Sequence, residues 1–432
     1  MGRRIRKDKA MAEFAEMSKE ELEQAKEAAD RDYEELKARN LSLDMSRGKP
    51  APSQIDHANG MLKEMTDYHT KAGMDVRNYG VLDGIPEMKE LFSELLDIPA
   101  GQLIVGGNAS LNLMFDAVMR LFVFGTMGEK PWGRLDKVKF LCPSPGYDRH
   151  FTICETLGIE MIPVPMTKEG PDMDMVEELV GSDTSIKGIW CVPKYSNPQG
   201  ICYSDETVDR LASMKTAAKD FKIFWDNAYG VHPVFEDVKV KNIIDACEEA
   251  GTKNRPYYFF STSKITFPGA GVSLIASSEE NINEIKKIMG VQTIGYDKVN
   301  QLRHVQFFQN AEGLRAHMQV LAECMRPKFE TVLKYLNKEL AGTGLAVWEE
   351  PKGGYFVSVD VYPGCAKEVV RLAKEAGVVL TGAGATYPYK KDPKDSNLRI
   401  APTYPTVEEL EQAMELFCVC VKKAALHKLV RE

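Results

Sequence analysis

The stretch Phe260-Ser261-Thr262-Ser263-Lys264-Ile265-Thr266-Phe267-Pro268-Gly269-Ala270-Gly271 places one lysine, Lys264, among small hydroxyl residues. It follows the apolar run 257–260 and precedes a Pro/Gly turn, which predicts that the lysine lies at the end of a buried strand. A lysine among apolar neighbours can have a lowered pKa and act as a nucleophile or in Schiff-base chemistry. Ser261 and Ser263 add two hydroxyl groups that suit a phosphate. Taken alone, the stretch is more typical of a surface lysine in a Ser/Thr loop.

Two motifs upstream of Lys264 change this interpretation. Each follows an apolar run: Tyr195-Ser196-Asn197-Pro198-Gln199-Gly200 and Asp226-Asn227-Ala228-Tyr229. The ordered motifs Asn-Pro-x-Gly, Asp-x-Ala-Tyr and Ser-x-Ser-Lys resemble those of the fold type I enzymes that use pyridoxal 5'-phosphate (PLP), the class I/II aminotransferases. The resemblance runs from about residue 18 to the end of the sequence. It implies PLP as the cofactor and Lys264 as the residue that binds it covalently.

The composition is ordinary for a soluble globular enzyme. The chain has 432 residues, 44% of them hydrophobic and 27% charged, and its net charge of −8 argues against a nucleic-acid partner. No apolar run approaches the ~20 residues of a membrane span. Nine scattered cysteines favour reduced thiols in a cytoplasmic protein over disulfides or a metal site. The basic start, 1–9, lacks the apolar core of a signal peptide, so we expect a disordered tail or an over-extended start before Met11.

Apolar runs alternate with helical patterns through the middle of the chain. Strands are predicted at 138–141, 160–164, 187–192, 222–226, 257–260 and 272–277, and helices at 173–181, 204–219 and 279–290. This alternation predicts an α/β fold with a mainly parallel sheet. The resemblance implies a seven-stranded-type sheet with helices on both faces.

The pattern changes after about residue 309. A helical segment at 311–340 is followed by strands near 345–348 and 353–359 and by helices at 365–376 and 406–424, the profile of a smaller α+β domain. At the other end, Ser18 and Glu21 form a capping box that opens a helix to about Arg39. We predict a large PLP-binding domain over 61–309 and a small domain over 310–432, to which the N-terminal segment 1–60 returns.

The turn Gly106-Gly107-Asn108-Ala109-Ser110 leads into a predicted helix ending near Phe124. Free N–H groups at a helix N-terminus form an anion site, although most Gly-Gly turns are only caps. The resemblance implies that Asn108, Ala109 and Ser110 bind the cofactor phosphate, together with Ser261 and Ser263. In most relatives an arginine eight residues after the lysine pairs with the phosphate, but here that position is Val272. We therefore expect these groups and Tyr79 to hold it, with room for another cation.

Tyr79 lies in the turn-rich loop 78–87, where a tyrosine could equally cap a core. The resemblance gives it a role across a subunit boundary, because the matching tyrosine reaches the cofactor phosphate of the partner subunit. This implies a homodimer with shared active sites.

Tyr147 follows the turn 142–146 and is expected at the carboxyl edge of the sheet, where open α/β sheets bind ligands. Without the resemblance it would suit a core aromatic; with it, the ring is implied to stack on the cofactor. The resemblance further implies that Asp226 pairs with the ring nitrogen and that Asn197 and Tyr229 hydrogen-bond the 3-oxygen. Lys264 would move a proton at the substrate Cα, so Lys264, Asp226 and Tyr229 are the predicted catalytic residues.

Arg399 lies in the motif Asp395-Ser396-Asn397-Leu398-Arg399-Ile400-Ala401, on a predicted short strand. Its planar guanidinium could clamp a carboxylate, although most arginines form surface salt bridges. The resemblance implies that Arg399 binds the substrate α-carboxylate, with Asn197 beside it. It also places Gly48, in the extended segment 41–50, at the mouth of the active site.

The sequence resembles one subgroup, the bacterial aspartate aminotransferases with a MocR-type aminotransferase domain. The features that carry this resemblance are the stretches 46–50 and 293–302 and the valine at position 272. This implies transamination between an α-amino acid, aspartate or glutamate, and a 2-oxo acid. A second substrate carboxylate would need a further cation, because an unpaired buried carboxylate is costly. The candidates are Arg47, Lys49, Lys298, Arg303 and His304.

Two other functions share these motifs. PLP-dependent β-lyases and decarboxylases use the same cofactor residues, because function depends on the substrate pocket. A regulatory PLP-sensing domain is the alternative of a different class. Such regulators carry a DNA-binding module ahead of the aminotransferase domain, and the roughly 40 residues before the catalytic region are too few for one.

Overall fold

The computed structural model describes Phe14 and residues 17–432; the basic start, for which we expected a disordered tail, lies outside the described residues. Thirteen strands are described: β1 (Leu43–Asp44), β2 (Leu103–Val105), β3 (Lys139–Ser144), β4 (Glu160–Thr167), β5 (Gly170–Pro171), β6 (Ile186–Cys191), β7 (Lys222–Asp226), β8 (Pro256–Ser261), β9 (Ser273–Ala276), β10 (Ala346–Trp348), β11 (Val357–Val361), β12 (Val378–Val379) and β13 (Asn397–Ile400). The α-helices of the described chain are Lys19–Lys37, Pro52–Asp56, Pro86–Leu96, Ser110–Phe124, Asp148–Thr156, Met173–Ser182, Asp205–Ser213, Ile243–Glu249, Glu279–Gln292, Lys298–Phe308, Ala311–Glu339, Ala366–Glu375 and Val407–Leu429.

The largest sheet has eight strands in the order β2-β9-β8-β7-β6-β3-β4-β5. Strands β4, β3, β6, β7 and β8 run parallel, whereas β9 pairs antiparallel with β8 and with β2. The predicted α/β fold with a mainly parallel sheet is thus confirmed. The eighth strand is the two-residue β5, which pairs antiparallel with β4.

Helices cover both faces of this sheet. One core packs Pro86–Leu96, Met173–Ser182 and Asp205–Ser213 on one face, and a second core packs Ser110–Phe124 and Glu279–Gln292 on the other. Strands β6, β7 and β8 are buried along their whole length. A parallel strand that is buried on both faces has a continuous apolar sequence, which explains why these strands were recognisable.

A third core joins the two ends of the described chain. The helix Lys19–Lys37 packs against Val407–Leu429, where Asp30 pairs with Lys423 and accepts from His427 Nε2 at 2.7 Å. Strand β1 pairs in parallel with β12 in a separate two-stranded sheet, which connects the N-terminal segment to the C-terminal part of the chain. The helix Ala311–Glu339 contributes Leu314 to the first core and Phe329 to the third, so the division at residue 309 stays a prediction.

For two of the predicted elements, the structure shows why their limits differ from the prediction. The helix predicted over 204–219 ends at Ser213, because the Arg255 guanidinium donates hydrogen bonds to the carbonyl oxygens of Ala212 and Met214. The strand predicted over 353–359 begins only at Val357, because Gly354 has a φ of +82° that a strand cannot accommodate. No helix among the described residues is both long and apolar enough to cross a membrane.

Candidate active site

A cavity of about 650 Å³ opens at the carboxyl ends of the parallel strands. Asn197 follows β6, Asp226 is the last residue of β7 and Lys264 follows β8, and all three line the cavity. The other predicted site residues that line this cavity are Gly48, Ser110, Tyr147, Tyr229 and Arg399. Residues predicted from seven separate stretches of sequence therefore meet in one cavity.

Lys264 is half-buried beside two tyrosine rings. Its Nζ lies 5.0 Å from the centroid of the Tyr229 ring and 5.9 Å from that of Tyr355. Burial lowers the pKa of the Lys264 amine, and the negative charge of Asp226 acts in the opposite direction. A lowered pKa increases the neutral, nucleophilic fraction of the amine at neutral pH.

Asp226 is buried at the floor of the cavity. Its Oδ2 lies 3.0 Å from His150 Nε2, and His150 stacks on Trp190 with ring centroids 4.3 Å apart. The other carboxylate oxygen, Oδ1, is buried and has no hydrogen-bond partner among the described residues. A buried carboxylate oxygen without a donor is costly, so this atom marks a position where a donor from a bound molecule fits.

Arg399 and Asn197 are hydrogen-bonded to each other. Nη1 of Arg399 donates to Asn197 Oδ1 at 3.1 Å and to Asp148 Oδ1 at 3.4 Å. The guanidinium lies 4.7 Å from the centroid of the Phe356 ring, and its buried Nε finds no acceptor in the described part of the chain. Because Asn197 Oδ1 is occupied, the Asn197 amide group is turned so that its N–H donors remain for a ligand.

The residues predicted to bind the phosphate, apart from Tyr79, form one cluster next to the cavity. Ser263 Oγ donates to the Asn108 carbonyl at 3.1 Å, and Ser261 Oγ donates to Ser263 Oγ at the same distance. Ala109 is the N-cap of the helix Ser110–Phe124, and no side chain in the described residues caps it. The first N–H groups of this helix are therefore available to an anion.

Val272 does not face this cluster. Its side chain is packed in the first core, and its amide donates to Thr262 Oγ1 at 2.9 Å. The position that faces the cluster is Gly271, where a Cβ would lie 3.0 Å from the Asn108 carbonyl oxygen and 3.2 Å from the Ser263 nitrogen. Neither residue supplies a cation to this cluster.

Tyr79 lies outside the main cavity. It is 82% exposed and lines a second cavity of about 510 Å³, which Lys298 also lines. Tyr79 is thus separate from the Lys264 cavity of its own chain.

The five candidate cations for a distal carboxylate differ in position. Arg47 lines the main cavity, whereas Lys49 stacks on the Tyr404 ring at 3.8 Å. His304 is buried, with Nε2 against Thr266 Oγ1 at 2.9 Å and Nδ1 against the Asn300 carbonyl at 2.8 Å, so neither ring nitrogen is free. Arg303 lines neither cavity.

The sequence reasoning missed three residues that line the cavity, Phe356 and the cations Arg149 and Lys390, and one that lies behind it, His150. His150 lies three residues after Tyr147, a helical spacing that could have suggested a shared face. Phe356 explains Gly48, because a Cβ at Gly48 would collide with its ring. Arg149 and Lys390 line the cavity from exposed positions, and no motif marks them.

The sheet order, with these groups at its carboxyl edge, defines a fold type I aminotransferase. The family model described as aspartate amino-transferase matches residues 17–432, and the chain belongs to this family. An aspartate aminotransferase of Corynebacterium glutamicum is 48% identical over 399 residues, which cover 91% of this chain and 92% of that relative.

Solved structures agree with this assignment. The crystal structure of an aspartate transaminase from Corynebacterium glutamicum has a TM-score of 0.95 and 46% identity, covering 96% of this chain and 99% of that one. LysN, the α-aminoadipate aminotransferase of Thermus thermophilus, is 18% identical with a TM-score of 0.72 and covers 90% of this chain and 95% of that one. At that identity the second likeness shows the fold alone.

Proposed function

We propose that this aminotransferase uses PLP and transfers the amino group of aspartate or glutamate to a 2-oxo acid. The observation that carries the cofactor assignment is the unpartnered Oδ1 of Asp226 in the cavity that holds Lys264. A protonated pyridine nitrogen is the type of donor that this oxygen lacks. The dicarboxylic substrate is supported by the aspartate aminotransferase and aspartate transaminase of Corynebacterium glutamicum.

The residues present fit PLP at each of its polar groups. Asp226 would hold the ring nitrogen, and Asn197 and Tyr229 would donate to the 3-oxygen. Burial raises the pKa of Tyr229 well above its ordinary value, so its hydroxyl stays a donor. Asn108, Ala109, Ser110, Ser261 and Ser263 would hold the phosphate, and Tyr147 would cover the ring.

Bound PLP supplies the electron sink for the electrons of the substrate Cα–H bond. The protein must then hold the substrate and move the proton. Arg399 would hold the α-carboxylate through its free Nε edge and so orient the Cα–H bond. Lys264 would take the proton from the substrate Cα as a general base and then donate it as a general acid to C4′ of the cofactor, a role that its lowered pKa favours.

A half-reaction tests this function directly. Adding aspartate or glutamate without a 2-oxo acid should convert the cofactor spectrum once, and turnover should then require the 2-oxo acid. Continuous product release without a 2-oxo acid would indicate a β-lyase or decarboxylase instead. Spectral change without turnover under either condition would favour the regulatory PLP-sensing domain.

We also propose a homodimer in which Tyr79 reaches the phosphate in the partner subunit. Its 82% exposure supports this, because a single chain leaves the ring without cover. Tyr79→Phe should weaken PLP retention by about 1 kcal/mol, the contribution of one hydrogen bond, or more because the phosphate is charged. Equilibrium dialysis of PLP measures this loss. A catalytically competent monomer in sedimentation at assay concentration would contradict the shared site.

A dicarboxylic preference requires a cation besides Arg399. Arg47, Arg149 and Lys390 line the cavity of the same chain, whereas Lys298 shares the second cavity with Tyr79 and would act, like Tyr79, across the dimer. We expect kcat/KM for aspartate to exceed that for alanine at least about thirtyfold, which corresponds to a difference of roughly 2 kcal/mol in activation free energy. Steady-state kinetics with aspartate, alanine and phenylalanine measure this ratio. Equal turnover of alanine would remove the dicarboxylate assignment and leave the transaminase intact.

The nine cysteines are free thiols in the structure. Free thiols persist in a reducing compartment, which supports a cytoplasmic location as part of this proposal.

A further inference from the structure

His232 belongs to a triangle of rings beneath Lys264. The ring centroids of Tyr229 and His232 are 5.8 Å apart, those of His232 and Tyr355 are 5.8 Å apart, and those of Tyr229 and Tyr355 are 5.9 Å apart. The Lys264 amine lies over the two tyrosine rings of this triangle. His232 itself is 0% exposed and lines no part of the cavity.

The imidazole of His232 is buried without hydrogen bonds to its ring nitrogens from the part of the chain that the structure describes. Neither Nδ1 nor Nε2 has a hydrogen-bond partner in the described residues. A neutral imidazole carries one N–H donor and one acceptor, and leaving both unpaired in a core lowers stability. A phenylalanine could fill the same space without this cost, so packing alone does not account for a histidine here.

The polar side chains of the triangle converge on the backbone of Lys264. Tyr355 Oη donates to the Lys264 carbonyl oxygen at 3.3 Å. The same carbonyl acts on His232, where hydrogen bonding to it favours the protonated ring, although neither ring nitrogen reaches hydrogen-bond geometry. The Lys264 carbonyl thus has one side-chain donor, Tyr355, and influences the neighbouring His232 ring without a hydrogen bond to it.

His232 is kept neutral in these surroundings. Burial, followed by the positive charge of Lys264, lowers the pKa of His232 to about 3, and the charge of Lys194 acts in the same direction. Lys194 is itself engaged by the Gly230 carbonyl at 2.9 Å and by Asp237 at 2.7 Å, and the remaining titratable neighbours, Tyr229 and Tyr355, have raised pKa values. The ring therefore adds no second positive charge beside Lys264 at neutral pH.

We infer that His232 is a positioning residue: its ring supports the wall that the Tyr229 and Tyr355 rings form beside Lys264, together with the Lys264 peptide, and so fixes the amine in the cavity. This inference rests on the proposed function, in which Lys264 binds PLP. Displacing the wall would move Tyr229 away from the 3-oxygen of the cofactor. The cofactor bound to Lys264 would then lose a donor that stabilises its deprotonated form.

Absorbance titration of the holoenzyme without substrate tests the inference. His232→Phe should raise the pH midpoint of the Lys264-bound cofactor by about half a unit or more. It should also lower kcat about tenfold or more through misplacement of the amine, with little change in KM for the amino donor. His232→Gln retains an amide donor and should restore the midpoint toward the wild-type value. The apoenzyme melting temperature of His232→Phe should not fall, because an unpaired polar group is removed.

Three outcomes would overturn the inference. An unchanged midpoint in His232→Phe, with or without a lower melting temperature, would make the residue merely structural. A shift in His232→Gln as large as in His232→Phe would show that its polar atoms do not act. Tyr355→Phe, which removes only the hydroxyl on the same carbonyl, must also raise the midpoint, and this variant serves if His232→Phe does not fold. Absence of a titrating band in the wild-type holoenzyme would instead remove the proposed function.

Discussion

Replacing Lys264 with alanine should lower kcat by about four orders of magnitude or more, because one amine both binds the cofactor and moves the Cα proton. Lys264→Arg keeps the positive charge but cannot act as the nucleophile, so it should be equally inactive. Single-turnover kinetics of the half-reaction measure both losses. Borohydride reduction of the wild-type holoenzyme, followed by peptide mapping, should place the cofactor on Lys264.

Lys222 provides a matched control for this experiment. It is also a buried lysine, and burial lowers its pKa to about 7, but its Nζ donates to the Asn254 carbonyl at 2.7 Å at the amino end of β7. Lys222→Met should therefore lower stability by roughly 1–3 kcal/mol and leave kcat unchanged. If the borohydride label maps to Lys222 or any other lysine, the assignment of the whole site is wrong.

The part of the site that could be predicted is the part carried by parallel strands. Strands β6, β7 and β8 are recognisable as buried apolar runs, and the motifs at or just after their carboxyl ends contain Asn197, Asp226 and Lys264. The carboxyl ends of neighbouring parallel strands meet at one edge of a sheet, so residues far apart in sequence are expected together. For this reason one lysine motif and two upstream motifs were enough to locate the cavity.

The contacts that could not be predicted are those between side chains of separate helices, strands and loops. His150 reaches Asp226 from the helix Asp148–Thr156, and its orientation is set by stacking on Trp190 of β6. The pairing of Gly48 with Phe356 likewise joins the N-terminal segment to a distant loop. No local pattern encodes such contacts, because periodicity specifies which face of an element is buried and not what it meets.

The start of strand β11 could not be predicted for a different reason, which is the close packing around Gly353. The Tyr195 ring and the His232 carbonyl occupy the space that a Cβ at this position would need, so the chain approaches closely here and the strand starts later than predicted. The sequence pattern instead predicted a strand over 353–359 that included Gly353 and Gly354. Only the tertiary contact explains why the approach occurs under the Lys264 site.

The second large effect is expected at Asp226. Asp226→Asn preserves the shape of the side chain but removes the charge that would keep the cofactor ring nitrogen protonated. Loss of one partner of a buried charge pair costs about 3–5 kcal/mol, which corresponds to a fall in kcat of roughly two to three and a half orders of magnitude. Because the Asp226 carboxylate raises the pKa of Lys264, the variant should also lower that pKa in the apoenzyme. The pH dependence of the reaction of Lys264 with a small electrophile measures this change.

Asp220 separates the catalytic from the structural effect of removing a buried carboxylate. It precedes β7, at whose other end Asp226 lies, but both of its oxygens are satisfied, by Lys187 Nζ at 2.6 Å and by Trp132 Nε1 at 2.8 Å. Asp220→Asn should therefore lower the apoenzyme melting temperature and leave kcat unchanged. Asp226→Asn should lower kcat and leave the apoenzyme melting temperature unchanged, because Oδ1 of Asp226 has no partner to lose in the apoenzyme. If Asp226→Asn lowers the melting temperature as much as Asp220→Asn and retains kcat, the Asp226 carboxylate is a structural group and the cofactor assignment loses its main support.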